Sequence, residues 1–223
     1  MSDFPFDTVG FDLDGTLVDT APDLGRALNH ALAGIERGPI GEAVTRDLIG
    51  GGTRAMLTRA LDHTGGMVGE ERFQALYADL IACYERHTSD HSAPYPGCLD
   101  ALDALERRGC RLAVVTNKPE YLARKLLDEL GLGHRFDSIL GGDSLGPGRA
   151  KPARDMIDEA IRRSGGSRFA MVGDSSFDVK AARAAGVPCV VLTIGYHDAP
   201  PETLGADALI GHFDELVGAL LAL

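Results

Sequence analysis

The sequence has few cysteines and no long apolar run, and each of these features excludes a class of protein. The four cysteines form no Cys-x-x-Cys pair, which favours reduced thiols over a disulfide framework. No apolar segment approaches the length of a membrane span. The first residues also lack the basic start and apolar stretch of a secretory signal. We therefore expect a cytoplasmic protein with no membrane partner.

Positive charge is scarce as well. Lysine and arginine together number 22 against 33 acidic residues, so the formal net charge is −11. No basic stripe is present to neutralise the phosphates of DNA or RNA, which argues against a nucleic-acid partner. The seven histidines show no close pairing of the kind that zinc sites use.

The chain of 223 residues is long enough for one large domain, or for one domain with an insertion.

The most informative segment that is present places two aspartates after an apolar strand. Residues 6–11 favour a buried β-strand, and Asp12 and Asp14 follow it, just before Gly15. Residues two apart in an extended chain project to one side. In an open α/β sheet, ligands bind at the carboxyl ends of the strands. Two carboxylates held close together repel unless a cation lies between them or one is protonated, and oxygen ligands of this kind favour Mg²⁺.

This segment has two other interpretations. A calcium-binding EF-hand needs a third ligand before its glycine and a helix in front, whereas here a strand precedes the aspartates. A plain Asp-Gly turn remains open when the segment is taken alone. The rest of the chain must therefore supply matching parts if the segment is functional.

Two later segments could supply donors to a phosphate group. Thr116 and Asn117 end a predicted strand with a hydroxyl and an amide, although both could simply cap the next helix. Lys151 is one of only four lysines, and its compact charge could lie between a carboxylate and a phosphoryl group. A lone Lys-Pro pair is also typical of a solvent-exposed turn.

A third segment adds more carboxylates. Asp174 ends another predicted strand, and Asp178 follows about one helical turn later. Asp178 could instead be an acidic residue that stabilises the first turn of its helix. Asp174 is harder to explain without a ligand, because it repeats the strand-end position of Asp12.

The order of predicted elements indicates the fold class. From Thr20 to Thr88 apolar residues recur at helical spacing, whereas strands and helices alternate after Pro94. Such alternation predicts an α/β fold with a doubly wound, mostly parallel sheet. We expect residues 1–18 and 92–223 to form this discontinuous core, and residues 19–91 to form an inserted all-helical cap domain.

Together these segments resemble the haloacid dehalogenase superfamily of phosphohydrolases, over nearly the whole chain. The matching residues are Asp12-x-Asp14-Gly15-Thr16, Thr116-Asn117, Lys151-Pro152 and Gly173-Asp174-Ser175-x-x-Asp178. Within the superfamily, the sequence is similar to bacterial phosphoglycolate phosphatases with a small helical cap, through Gly141-Gly142-Asp143-Ser144 and Asp178-Val179-Lys180-Ala181-Ala182. It departs from that subgroup after Lys-Pro, where Ala153 and Arg154 stand in place of a frequent second proline.

The resemblance implies a Mg²⁺-dependent phosphatase that forms an aspartyl-phosphate intermediate. Asp12 would be the nucleophile and a metal ligand, and Asp14 the general acid and base, with its backbone carbonyl on the metal. Asp174 would be the second side-chain ligand, and Asp178 would support the metal through water.

The transferring phosphoryl group would be held by the remaining matched residues. Thr116, Asn117 and Lys151 would stabilise its spreading negative charge. Since the chain is acidic overall and a phosphate ester is an anion, the site itself must be locally positive.

Substrate recognition is expected to involve the helical cap. The residues Gly51, Gly52, Thr53 and Arg54 precede a predicted helix, where bare N–H groups and a guanidinium could bind a carboxylate. Phosphoglycolate carries such a carboxylate, so 2-phosphoglycolate is the expected substrate. A flexible turn capped by Thr53 is an equal alternative, and Arg46 and Arg59 are weaker candidates for the same role.

Several related activities remain to be distinguished. A phosphonate hydrolase would need a cap lysine, and no lysine lies between Thr20 and Thr88. A dehalogenase would not be expected to keep Asp14. A β-phosphoglucomutase-like mutase, a sugar phosphatase and a pyrophosphatase stay open, whereas a non-catalytic binding protein has no need for clustered carboxylates. The expected partner is a small phosphate ester, and the oligomeric state is open between monomer and homodimer.

Overall fold

A computed structural model describes residues 4–166 and 168–223 of the chain. The strands in this part are β1 (Thr8–Phe11), β2 (Val18–Asp19), β3 (Ala93–Pro94), β4 (Arg111–Val115), β5 (Ser138–Leu140), β6 (Phe169–Gly173), β7 (Cys189–Leu192) and β8 (Ala208–Ile210). The α-helices are α1 (Ala21–Ala33), α2 (Glu42–Leu48), α3 (Thr53–His63), α4 (Glu70–Arg86), α5 (Cys98–Glu106), α6 (Glu120–Glu129), α7 (Asp155–Ser164), α8 (Ser176–Ala185) and α9 (Leu216–Leu221). Short 3₁₀ helices span Gly133–Arg135, Pro201–Thr203 and Phe213–Glu215.

Six strands form one parallel sheet, in the order β5-β4-β1-β6-β7-β8. The predicted α/β fold with a doubly wound, mostly parallel sheet is confirmed. The first strand lies at the centre, where the chain order reverses, and this is the place where such sheets bind ligands. Phe11 of β1 is level with Val114 of β4 and Val172 of β6. The loops after these three strands therefore emerge side by side.

Both faces of the sheet are covered by apolar packing. Along β4, Leu112 and Val114 belong to one buried cluster, and Ala113 and Val115 to another. This alternation follows from the two-residue period of a strand, because successive side chains point to opposite faces. A sheet buried on both faces has little freedom to shift, so the loops at its carboxyl edge are held in fixed positions.

Helices α1 to α4 pack around one shared buried cluster. Met56, Leu57, Ala60 and Leu61 are buried at the predicted helical spacing, in a cluster with Tyr84. The chain enters and leaves these helices through the antiparallel pair β2–β3, where Val18 pairs with Pro94. This crossing lies next to the expected boundaries, and the division into a core and a cap at residues 19–91 remains a prediction.

The buried carboxylate of Asp23 in α1 binds the chain at the point where it leaves helices α1 to α4. The Asp23 Oδ2 atom accepts hydrogen bonds from His91 N at 2.9 Å, from Ser92 N at 2.8 Å and from Ser92 Oγ at 2.7 Å. Three donors on one carboxylate oxygen fix the returning chain. In the described part of the chain, the helices are too short or too polar to cross a membrane.

Candidate active site

A glycine in the turn after β1 leaves room for side chains from a neighbouring loop. Gly15 has a φ of +82°, a conformation that favours glycine. A Cβ at this position would lie 2.3 Å from Asp174 Oδ2 and 2.7 Å from the Tyr196 ring. Gly15 therefore lets the loop after β6 approach the loop after β1, which brings Asp174 next to Asp12.

Three carboxylates meet at this point. Ligand oxygens of Asp12, Asp174 and Asp178 all lie within 4.8 Å of one another. Burial, with repulsion from Asp178 and Asp14, raises the pKa of Asp12 to about 6 despite the opposing effect of Lys151. Burial also raises the pKa of Asp174 well above its ordinary value, and the charges of Asp178 and Asp12 add to the effect. A cation at the cluster would remove this repulsion.

The donor set fits a hard divalent cation. All donors are oxygens, and Asp174 is held in place by Thr16 Oγ1 at 2.9 Å and by Tyr196 N at 2.5 Å. In contrast, Asp178 Oδ2 accepts from Asp174 N and from both the N and the Oγ of Ser175, as part of a capping box at the start of α8. The cluster could therefore hold a metal mainly through Asp12 and Asp174, with Asp178 positioning their surroundings.

Lys151 lies inside the cluster and not on a solvent-exposed turn. Its Nζ atom is 3.0 Å from Asp12 Oδ2 and 2.6 Å from Asp178 Oδ1, and its side chain is 1% exposed. Burial alone lowers the pKa of Lys151, but the two carboxylates outweigh burial and raise the pKa above its ordinary value. The ammonium is therefore charged at neutral pH, as phosphate binding requires.

The two donors predicted after β4 have different surroundings. Thr116 is buried, and its Oγ1 accepts from Lys118 N at 3.3 Å, which leaves its hydroxyl proton available. The Asn117 amide instead donates to the carbonyl oxygen of Lys151 at 2.9 Å. One N–H group of Asn117 therefore holds the Lys151 loop, and the expected contact of Asn117 with phosphate stays a prediction.

These residues surround a cavity that the helical insertion closes. About 40 Å³ is available there to the centres of water molecules. The insertion contributes Gly51, Gly52 and Thr53 to its lining, and their expected role in substrate recognition stays a prediction. A Cβ on Gly52 would lie 3.1 Å from the Asn117 carbonyl oxygen, so glycine lets the insertion rest on the loop after β4.

This geometry agrees with comparisons to known proteins. A model of the haloacid dehalogenase-like hydrolases matches residues 6–186. The chain belongs to this hydrolase family. A phosphoglycolate phosphatase of Caulobacter vibrioides is 42% identical over 218 residues, which cover 97% of this chain and 91% of that protein. A phosphoglycolate phosphatase of Agrobacterium fabrum is 42% identical over 212 residues, which cover 94% of this chain and 90% of that protein.

Solved structures give the same result for this hydrolase. A crystal structure described as a predicted phosphoglycolate phosphatase from Haemophilus somnus 129PT has a TM-score of 0.90 and 31% identity, and the match covers 97% of this chain and 98% of that one. CbbY from Rhodobacter sphaeroides, solved in complex with phosphate, has a TM-score of 0.79 and 27% identity. The match covers 98% of this chain and 100% of that one. The resemblance noted in the sequence is thus confirmed.

Arg54 of the hydrolase does not reach the cavity. Its guanidinium lies over the rings of Phe73 at 4.8 Å and Tyr77 at 5.3 Å, and it is 3.5 Å from Glu70. Neighbouring residues on a helix face different directions. Thr53 faces the cavity, and Arg54 therefore faces α4. The expectation that Arg54 binds a substrate carboxylate is therefore corrected.

The two weaker arginine candidates also have structural partners. Arg59 donates to the carbonyl oxygens of Leu48 and Gly50, which shapes the loop before α3. Arg46 pairs with Asp19 at 2.7 Å and lies over the Tyr196 ring. Neither residue lines the cavity.

Sequence reasoning did not identify Lys118 as a site residue. Its Nζ lies 2.9 Å from Asp14 Oδ1 and 3.1 Å from Oδ2, above the ring of Tyr84 at 4.4 Å. Thr20 Oγ1 also donates to Asp14 Oδ1, at 2.7 Å. Burial alone lowers the pKa of Lys118, but Asp14 more than compensates and raises it. A signal was present, because Lys118 is one of four lysines and directly follows Thr116-Asn117.

Tyr196 is a second residue that the sequence did not reveal. Its backbone N–H donates to Asp174, whereas its hydroxyl donates to Asp19 Oδ1 at 2.5 Å. The same hydroxyl oxygen accepts from the backbone N–H groups of Thr20 at 2.8 Å and Ala21 at 2.9 Å. One tyrosine therefore links the acidic cluster to the start of α1.

Replacement of Tyr196 by phenylalanine should destabilise the protein. The ring remains, but two buried N–H groups and Asp19 each lose a hydrogen bond to the hydroxyl, which costs about 1–3 kcal/mol in the free energy of unfolding. Urea denaturation measures this difference. Tyr77→Phe, at a half-buried position of α4, is the matched control and should have little effect. Equal unfolding midpoints for the two variants would contradict this role of Tyr196.

Proposed function

We propose that the protein hydrolyses small phosphate monoesters with Mg²⁺, and that 2-phosphoglycolate is its substrate. The observation that carries this proposal is the meeting of Asp12, Asp174 and Lys151 at the carboxyl edge of the sheet, in a chain of the hydrolase family. The substrate rests on the relatives named phosphoglycolate phosphatase, which are about 40% identical over nearly the full length.

The cavity is small in this structure. Its 40 Å³ holds the centres of a few water molecules, since one water molecule needs roughly 10–15 Å³ of such space. No observation favours the mutase alternative. In this proposal residues 19–91 act as a cap that must open for substrate to enter.

The first step would transfer the phosphoryl group to Asp12. A carboxylate oxygen of Asp12 attacks phosphorus, and the bond from phosphorus to the glycolate oxygen breaks. Asp14 gives a proton to that leaving oxygen. Lys151 and the hydroxyl of Thr116 hold the phosphoryl oxygens as negative charge spreads over them. Bound Mg²⁺, held by Asp12, Asp174 and the Asp14 carbonyl, would neutralise part of this charge.

The second step would release inorganic phosphate. Asp14, now ionised, removes a proton from a water molecule, whose oxygen attacks phosphorus. The bond between phosphorus and Asp12 breaks, which restores the free carboxylate of Asp12 and the proton on Asp14. In this scheme Asp14 must face the leaving group, and its contacts with Lys118 and Thr20 hold it beside the cavity.

The proposed function is tested by a panel of phosphate esters assayed with Mg²⁺. We expect 2-phosphoglycolate to have a higher kcat/KM than pyrophosphate or the sugar phosphates, since it combines small size with a carboxylate. Release of phosphate from none of these compounds would contradict the proposal. Isomerisation of a sugar phosphate that depends on a hexose bisphosphate would identify a mutase instead.

Replacement of Asp14 by asparagine should impair turnover and leave the fold intact. One general acid contributes about two to four decades of rate, so kcat for 2-phosphoglycolate should fall by roughly 10²–10⁴. Circular dichroism and the thermal midpoint report on folding. Asp79→Asn, at an exposed position of α4, is the control for loss of an acidic residue. Near-normal kcat in Asp14→Asn would rule out the acid and base role.

Mg²⁺ should stabilise the protein more strongly at neutral than at acidic pH. Burial raises the pKa of Asp12 to about 6, so in the metal-free protein its ionisation opposes folding, and this cost disappears as pH falls below that value. Protons compete with Mg²⁺ for the same oxygens. Differential scanning fluorimetry should show a larger rise in Tm on adding Mg²⁺ at about pH 8 than at about pH 5.

The same experiment on Asp174→Asn separates specific from general ion effects. This variant lacks one of the proposed ligands and keeps its size, so the Mg²⁺-dependent rise in Tm should be largely lost. Asp79→Asn should keep it. An equal Tm rise in all proteins, or one independent of pH, would contradict metal binding at the cluster.

A further inference from the structure

We propose that Lys118 determines substrate specificity by binding the carboxylate of the substrate. This inference rests on the proposed function, which requires a phosphate ester that carries a second anionic group. The sequence suggested Arg54 for this role, but the structure directs that side chain away from the cavity. Lys118, which the mechanism above uses only to hold Asp14, lies in the cavity wall.

The cations near the cavity leave few alternatives. Partners within the helical insertion or next to it hold three arginines, Arg46, Arg54 and Arg59. Among the described residues that line the cavity, the cationic side chains are those of Lys118 and Lys151. Lys151 is held between Asp12 and Asp178 at the phosphoryl end of the site. A second anionic group in the cavity therefore has Lys118 as its counter-charge, in exchange for the contact of that ammonium with Asp14.

The position of Lys118 matches the shape of the substrate. Its ammonium contacts both oxygens of Asp14, the residue assigned to the leaving oxygen. In 2-phosphoglycolate a single methylene carbon separates that oxygen from the carboxylate carbon. When the leaving oxygen lies beside Asp14, the carboxylate is consequently brought next to Lys118. A longer ester would carry its anionic group past this point.

The surroundings of Lys118 would strengthen such a contact. Its side chain is 1% exposed, and the ring of Tyr84 from the helical insertion lies 4.4 Å from its Nζ. Charge-assisted hydrogen bonds are strong in sites that exclude water. Asp14 also accepts from Thr20 Oγ1, so it keeps a partner when the ammonium turns to the substrate. An ester with no carboxylate would leave Lys118 paired with Asp14.

The test compares two esters that differ at the carboxylate. In 2-hydroxyethyl phosphate a neutral CH₂OH group replaces the carboxylate of 2-phosphoglycolate. We expect the wild-type kcat/KM to favour 2-phosphoglycolate, and Lys118→Met to reduce this preference about 10- to 100-fold, as expected for a hydrogen bond to a charged group. Loss of Lys118 also disturbs Asp14 with either ester, so the readout is the ratio of the two kcat/KM values and not the activity on one ester alone.

Control variants distinguish Lys118 from its competitors. Arg54→Met removes the cation that the sequence suggested, and Lys180→Met removes an exposed lysine of α8. Both should keep the wild-type preference. A reduced preference in Arg54→Met with an unchanged one in Lys118→Met would overturn the proposal. Equal losses on both esters in Lys118→Met would also overturn it, because Lys118 would then act only through Asp14.

The wild-type protein alone provides a further check that requires no variant to fold. Equal kcat/KM for the two esters would show that the carboxylate is not recognised, which contradicts the role of Lys118 while leaving the phosphatase function intact. Release of phosphate from neither ester would instead contradict the proposed function itself.

Discussion

The parallel sheet brings several carboxylates to one edge, and their mutual repulsion is the constraint that the rest of the site must satisfy. Asp12, Asp174 and Asp178 lie close together in a buried site, and Asp14 is near by. Two buried ammonium groups offset part of this negative charge, those of Lys118 and Lys151. Buried like charges are costly unless a counter-ion is present, and such costs are typical of functional sites. A divalent cation would complete the balance.

The acidic site and the helical insertion are physically connected through shared side chains. Tyr196 joins the loop of Asp174 to the first residues of α1, and Lys118 lies between Asp14 and the Tyr84 ring of α4. Movement of the insertion would therefore change the surroundings of two of the proposed catalytic or ligand carboxylates. Closure over a substrate and assembly of the site are expected to be coupled for this reason.

Much of the fold and of the acidic cluster could be predicted because both depend on local patterns. Strand-end aspartates are visible in the chain, and so is the helical spacing of apolar residues in the segment that forms α1 to α4. Lys118 and Tyr196 could not be assigned in this way, because their roles depend on which distant groups meet. Arg54 was misplaced for a related reason, since its direction is set by α4 rather than by its neighbours in sequence.

The central claim is that Asp12 and Asp174 hold a divalent cation beside Lys151. Anomalous scattering from crystals grown with Mn²⁺, a close substitute for Mg²⁺ at oxygen sites, measures this directly. We expect a strong anomalous peak within coordination distance of one oxygen of Asp12 and one of Asp174. A peak located elsewhere, or none at all in crystals of active enzyme, would contradict it.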